Sequence, residues 1–143
     1  MADDGHTTAA ASNRLVTAVL VRAHQKNADP LRAAVAALVA AAAHDKDALQ
    51  NVVWSATPAA AGARREIYRL FEEAVQEALP GSMPHVTTFI LSAALGFATI
   101  NCSCALSGGP FDDDALDALC ELLTDRMLRG FTPSRDPCPA ARR

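Results

Sequence analysis

Apolar residues recur every three or four positions along most of the chain, which is the spacing of one face of an α-helix. The clearest case runs from Arg64 to Leu79, where a charged face accompanies the apolar one. Its apolar positions are Ile67, Leu70, Phe71, Ala74, Val75, Ala78 and Leu79. No stretch shows the clear alternation of apolar and polar residues that indicates a strand. The pattern therefore predicts an all-α protein of about six helices.

Short polar residues mark where these helices begin. Asp29 and Thr57 are each followed directly by proline, whose missing N–H would be unpaired in the first helical turn anyway. Asp45 and Asp112 stand in the same capping position before two other apolar patterns. Gly130 follows the last amphipathic pattern, and we expect it to adopt the left-handed conformation common after a helix. These signals predict the helix boundaries independently of the periodicity.

The chain of 143 residues has the length of one domain. Residues 1–11 are small and polar, so we expect a disordered tail there, with Ser12 as the cap of the first helix. Residues 12–131 form the predicted helical domain, and the proline-rich residues 132–143 form a second loose tail. Because the predicted helices are joined by short links, we expect them to pack into a compact bundle.

Composition narrows the classes of function. The formal net charge is −3, and basic doublets occur only at residues 64–65 and 142–143. Proteins that bind nucleic acid by themselves usually carry a basic stripe, so we expect no direct contact with nucleic acid from this chain alone. The first residues lack the basic start and apolar run of a secretory signal. Together with four cysteines, this predicts a cytoplasmic protein with reduced thiols.

One segment raises the possibility of a membrane span. No charged residue occurs from Val86 to Ser107, and this run is long enough to cross a bilayer. Several threonines and serines interrupt it, and no lysine or arginine flanks it, which favours a helix buried within a protein. A small single-span membrane protein is therefore the less favoured alternative.

The cysteines give little sign of special chemistry. Cys102 and Cys104 are two positions apart, about 200° around a helix axis, so they cannot both hold one metal ion. Cys120 falls on an apolar stripe and Cys138 falls in the tail. We interpret them as small apolar residues, with a metal or redox role as the alternative. No metal or cofactor is predicted. No enzymatic activity is predicted either, because the sequence shows no recognisable nucleophile–base pair or pair of catalytic carboxylates.

The end of the chain resembles a known family. The segments SAALGFATI and SGGPFDDDALDALCELLTDRMLRGF together resemble the last two helices of TetR-type transcriptional regulators. Upstream, NRLVTAVLVRAHQKNADPLRAAVAALV resembles the helix that links the DNA-binding head of that family to its body, followed by the start of the body. HDKDALQNVVWSA and ARREIYRLFEEAVQEAL resemble the next two body helices. The resemblance covers about residues 12–131, and the three-helix head of the family has no counterpart in this sequence.

The resemblance implies a homodimer that binds a small hydrophobic or aromatic molecule between its helices. Ligand binding would shift the first helix, residues 13–27, and the alanines of residues 33–43 could leave the necessary volume. Ligand pockets of bundles are mainly apolar with a few polar groups, although large aromatic residues also commonly fill cores. The candidate ligand-binding residues are Trp54, Tyr68, Phe71, His85, Phe89, Ser92 and Phe97.

In the resembling family the last two helices pair with their counterparts in an intermolecular four-helix bundle. The same two helices look too apolar here for one monomer to cover, although a monomer that packs both inward is the alternative. The candidate dimer residues are Gly96, Leu116, Leu119, Cys120, Leu123 and Met127. A body without a head could also act as an interaction protein that pairs with a full-length regulator.

Overall fold

The computed structural model describes residues 3–25, 29–102 and 112–132. Six helices lie within these ranges: α1 (Asp3–Gln25), α2 (Pro30–His44), α3 (Lys46–Trp54), α4 (Pro58–Ala78), α5 (Pro84–Cys102) and α6 (Asp113–Phe131). The same ranges contain no strand. The helices contact one another extensively, so the prediction of a compact all-α bundle from periodicity is confirmed.

α2 is the central helix, and each of the other five helices packs against it. Ten of its residues are buried, and six of those are alanines. A helix surrounded by neighbours has no wide polar face, and small side chains let the neighbouring backbones approach closely. The alanine-rich composition of α2 therefore matches its place at the centre of the bundle.

Four predicted caps are present in the structure. In each case a side-chain oxygen accepts a hydrogen bond from a backbone N–H of the following turn: Asp29 (3.1 Å), Asp45 (3.2 Å), Thr57 (3.3 Å) and Asp112 (2.8 Å). Such a bond satisfies one of the N–H groups that have no partner within the helix. The beginnings of α2, α3, α4 and α6 are thus set by local chemistry.

The end of α6 differs from the prediction for Gly130. The helix continues through this glycine to Phe131, and a positive φ is not found there. Instead, the backbone N–H and the hydroxyl of Thr132 both donate to the carbonyl of Leu128, at 3.0 and 2.7 Å. These two bonds close the last turn, so a left-handed residue is not needed at position 130.

The start of α1 also differs from the sequence pattern, which places a disordered tail over residues 1–11. α1 begins at Asp3, and Ser12 lies buried inside the helix instead of capping it. Ala11 is buried one turn before Leu15, so the apolar stripe of α1 extends further towards the N-terminus than expected. The expected C-terminal tail lies outside the described residues, apart from the capping residue that follows α6.

An ion-pair network joins α6 to α2. The Arg32 guanidinium donates to Glu121 Oε1 at 3.0 Å and to the carboxylate of Asp125, and it lies 4.0 Å from Asp29 Oδ2. Each of these groups is partly exposed, so the individual pairs contribute little to stability. Because Glu121 and Asp125 share one side of α6, the network favours the rotation that turns the neighbouring apolar stripe towards α2.

α5 has two different sides. One side packs against α2, α3 and α4 and carries the buried residues Val86, Thr87, Ile90, Ala94, Ala98 and Asn101. The other side leaves Phe89, Ser92 and Gly96 exposed. Over the described ranges, no helix reaches both the length and the hydropathy of a membrane span, α5 included.

Candidate functional site

A groove of about 770 Å³ lies between α3, α4 and α5. This volume falls within the range of pockets that bind small molecules. Its apolar lining comprises Val52, Val53, Ala61, Ile67, Leu91 and Leu95. All three helices contribute to this lining, so the groove depends on how they pack together. No residue of α2 lines this groove. Three of the alanines of residues 33–43, Ala36, Ala37 and Ala40, instead line a smaller pocket of about 210 Å³ between α1, α2 and α6.

One aromatic hydroxyl adds polarity to this groove. Tyr68 is half-buried, and its Oη donates to the carbonyl of Pro84 at a distance of 3.5 Å, which makes a long and weak hydrogen bond. A guest in the groove could replace this bond with a shorter one. Tyr68 is therefore suited to orienting a bound molecule.

Charged side chains of α4 form one edge of the groove. They are Arg64, Arg65, Arg69 and Glu72. Arg64 Nη1 donates to the carbonyls of Val52 and Ser55, at 2.7 and 2.8 Å, and thereby caps the negative end of α3. This bond pair fixes α3 against α4 and so holds two walls of the groove together.

The predicted ligand-binding residues do not meet in one place. Tyr68 lines the groove, but Trp54 is 78% exposed and does not line it. Phe71 is completely buried in the core, because it shares the inward stripe of α4 with Ile67 and Val75. Its burial is what the alternative expects, in which aromatic residues fill the core, and its role in ligand binding stays a prediction.

A second, more open cleft of about 700 Å³ lies between the start of α5 and the end of α6. His85 and Phe89 line it together with Arg126 and Phe131. The Phe89 and Phe131 rings meet edge to face, with centroids 5.5 Å apart and planes at 78°. This contact connects α5 with α6 on the outside of the bundle.

Two further candidates lie apart from both sites. Ser92 is exposed on the outer side of α5, and Phe97 is half-buried against the core. Neither of them lines the groove or the cleft. The seven candidates are separated because the sequence shows which residues share a helix but leaves open which helix faces meet.

The predicted dimer residues also divide into two groups. Leu116, Cys120 and Met127 are buried within the single chain, on the α6 side that packs against α2. These three side chains are covered by their own chain, as the alternative of a monomer with inward-packed helices expects. Leu119 and Leu123 are half-buried, and Gly96 is exposed. These last three remain accessible to a partner.

The arginine edge of the groove was not predicted from the sequence. Arg65, Tyr68, Arg69 and Glu72 follow one another at i, i+3, i+4 and i+7, which places them on one face of α4. That spacing was visible in the sequence as a polar stripe containing an aromatic residue. Only the packing of α3 and α5 beside it turns the stripe into the edge of a groove.

Comparisons of the chain with known protein families, with curated proteins and with solved structures found no match. Among the residues that the structure describes, no group of three or more histidine, cysteine, aspartate or glutamate side chains is placed to hold a metal ion. The groove between α3, α4 and α5 is therefore taken as the candidate functional site.

Proposed function

We propose that this chain is a ligand-binding and dimerisation body of a TetR-like transcriptional regulator, with no DNA-binding head within its 143 residues. Two features support the proposal. The six helices coincide in order with the segments that resemble the body of that family. An apolar groove lies between three of them, which is where helical bundles commonly bind small molecules.

The groove is the observation that carries the ligand part of the proposal. Its apolar lining suits a small hydrophobic or aromatic molecule, and the Tyr68 hydroxyl provides one polar contact for orientation. Burial of apolar surface supplies the affinity, at about 25 cal/mol for each Å² removed from water. The groove is open on one side, so a guest can reach it without unfolding of the bundle.

Contacts between α3 and α1 offer a route from the groove to the first helix. Arg64 ties the groove wall to the end of α3. At the start of α3, Asp45 Oδ2 accepts a hydrogen bond from Arg14 Nε at 3.1 Å, and nearer its end Asn51 Nδ2 donates to the Thr8 carbonyl at 3.5 Å. A ligand that favours one position of α3 would therefore bias α1, provided that it binds one arrangement better than the other.

Stabilisation by an apolar probe tests the ligand part. We expect 1-decanol, at about 100 times its dissociation constant, to raise the free energy of unfolding by about 2.7 kcal/mol in urea titrations. The variant Leu95→Trp, which fills the groove, will lose this stabilisation. Met83→Trp, which places the same indole at an exposed position before α5 that does not line the groove, will retain it. Stabilisation of Leu95→Trp equal to that of the unaltered chain would place the ligand elsewhere, and no stabilisation of any of the three proteins would remove the ligand part.

The outer side of α5 carries the dimer part of the proposal. Phe89 is 58% exposed and Leu122 of α6 is 53% exposed, and no charged residue lies on α5. A Cβ at Gly96 would meet nothing within 4 Å in its own chain. Glycine inside a helix costs about 1 kcal/mol relative to alanine, and no intrachain contact requires it here. A second copy approaching closely at Gly96 would explain both the glycine within the helix and the empty space beside it.

Substitution of Gly96 tests this dimer. We expect sedimentation equilibrium to show a dimer at micromolar concentration and Gly96→Leu to raise its dissociation constant at least about tenfold, since the new side chain separates the backbones. Gly62→Leu is the control, because it gains similar helix propensity on α4, where a Cβ would meet only the Arg65 guanidinium at 4.0 Å.

Two results would contradict the dimer part. An unchanged dissociation constant for Gly96→Leu would place the interface on another surface. A monomer at all accessible concentrations would remove the homodimer and leave pairing with a full-length regulator as the function of the outer side of α5.

A further inference from the structure

The groove between α3, α4 and α5 has a positively charged edge, although the whole chain has a formal net charge of −3. Three arginines and one glutamate line it, and all four belong to α4. Leu91 and Leu95, which line the groove from α5, are apolar. The groove thus combines positively charged side chains with a hydrocarbon surface.

The three arginines differ in how many hydrogen bonds their guanidinium groups already make within the chain. The guanidinium of Arg64 is held by two backbone carbonyls of the α3 end. Arg69 Nε lies 3.4 Å from Glu73 Oε1, and both side chains are about 70% exposed. An exposed pair of this kind is weak and exchanges readily. The Arg65 guanidinium has no hydrogen bond or ion pair with another residue in the described ranges.

Arginine is well suited to binding a carboxylate. Its planar guanidinium offers several N–H donors in a fixed arrangement that matches the two oxygens of a carboxylate. Arg65 and Arg69 are four residues apart on α4, so their side chains lie on the same face of the helix, with Tyr68 beside them. One anionic group at this edge can therefore contact two guanidinium groups and a phenol.

We propose that the groove binds an anionic amphipathic molecule, of the class of medium-chain carboxylates. The carboxylate lies at Arg65 and Arg69, and the hydrocarbon chain lies along Ile67, Leu91 and Leu95. This inference rests on the ligand groove proposed above and adds the chemical class of the ligand. The volume of about 770 Å³ suits a small molecule of this kind.

Three probes with the same alkyl chain distinguish the contribution of the head-group charge to binding from that of the hydrocarbon chain. They are decanoate, 1-decanol and decylamine, each titrated calorimetrically into the full chain at neutral pH and below its aggregation limit. We expect decanoate to bind at least about tenfold more tightly than 1-decanol, and decylamine to bind more weakly than 1-decanol. The preference for decanoate will decrease at high salt, because this edge of the groove is exposed to solvent.

Two arginine variants locate the carboxylate. Arg65→Gln will weaken decanoate binding about tenfold, to the level of 1-decanol, and will leave the 1-decanol affinity unchanged. Arg129→Gln is the control, because it removes the same charge from an exposed position of α6 that does not line the groove. It will leave all three affinities unchanged.

The outcomes distinguish this inference from the proposal on which it rests. Equal affinity for decanoate and 1-decanol, or an equal loss of both in Arg65→Gln, would overturn the carboxylate assignment while leaving the apolar groove in place. An effect of Arg129→Gln as large as that of Arg65→Gln would show that net charge is responsible and would also overturn it. Failure of both decanoate and 1-decanol to bind would remove the ligand part of the proposed function as well.

Discussion

Replacement of Phe71 by alanine is expected to lower the free energy of unfolding by about 3–5 kcal/mol. Phe71 has no exposed surface and lies among the buried residues that join α4 to the rest of the bundle. Its removal loses the transfer free energy of a large aromatic side chain and leaves a cavity that the close-packed neighbours fill only in part. Urea denaturation followed by circular dichroism measures the loss.

Phe89→Ala is the matched control, since it removes the same side chain from a position that is 58% exposed. At protein concentrations low enough to hold the chain monomeric, we expect it to cost about 0.5–1.5 kcal/mol, because it loses the edge-to-face contact with Phe131. If Phe71→Ala does not fold, Phe71→Leu should still do so and should cost more than Phe89→Leu. Equal costs for the two positions would contradict the core assignment of Phe71.

Enlarging Ala34 to leucine is expected to destabilise the fold by about 3 kcal/mol. Ala34 is completely buried on α2, which is in contact with all five other described helices. A leucine there must either adopt a strained rotamer or push a neighbouring helix outwards, and both cost free energy. Urea denaturation under the same conditions measures this cost.

Ala43→Leu provides the comparison within the same helix. Ala43 is exposed, so the helix propensity changes by the same amount, while the new side chain points to solvent. Its effect should stay within about 0.5 kcal/mol. If Ala34→Leu proved as stable as Ala43→Leu, the space beside Ala34 would be empty, and the prediction that residues 33–43 leave room for a ligand would be supported.

Local features of the fold were predictable from the sequence. A capping oxygen and its N–H partner are two or three residues apart, so the short polar residues at positions 29, 45, 57 and 112 identify helix starts without knowledge of the tertiary structure. The apolar spacing predicts the inward face of α4, including Ile67 and Val75. The TetR-like assignment stays a proposal, because a bundle of six helices can serve many functions.

The candidate site was harder to predict because residues far apart in the sequence form it. Leu91 and Arg65 belong to different helices, and their place in one groove depends on how α4 and α5 are rotated. Similarly, α6 has several leucines, and the periodicity could not show whether Leu116 or Leu122 faces its own chain. The packing of α6 against α2 covers Leu116 and leaves Leu122 exposed.

The helical class of this protein and most of its helix starts follow from the amino-acid sequence alone, because those properties depend on contacts within a few residues. The central place of α2 and the core position of Phe71 follow from the packing of the helices instead. The same packing places Arg65 and Tyr68 in one groove with Leu95. The physical reason is that an apolar face must be covered by some neighbour, but the identity of that neighbour follows from the packing of all the helices together.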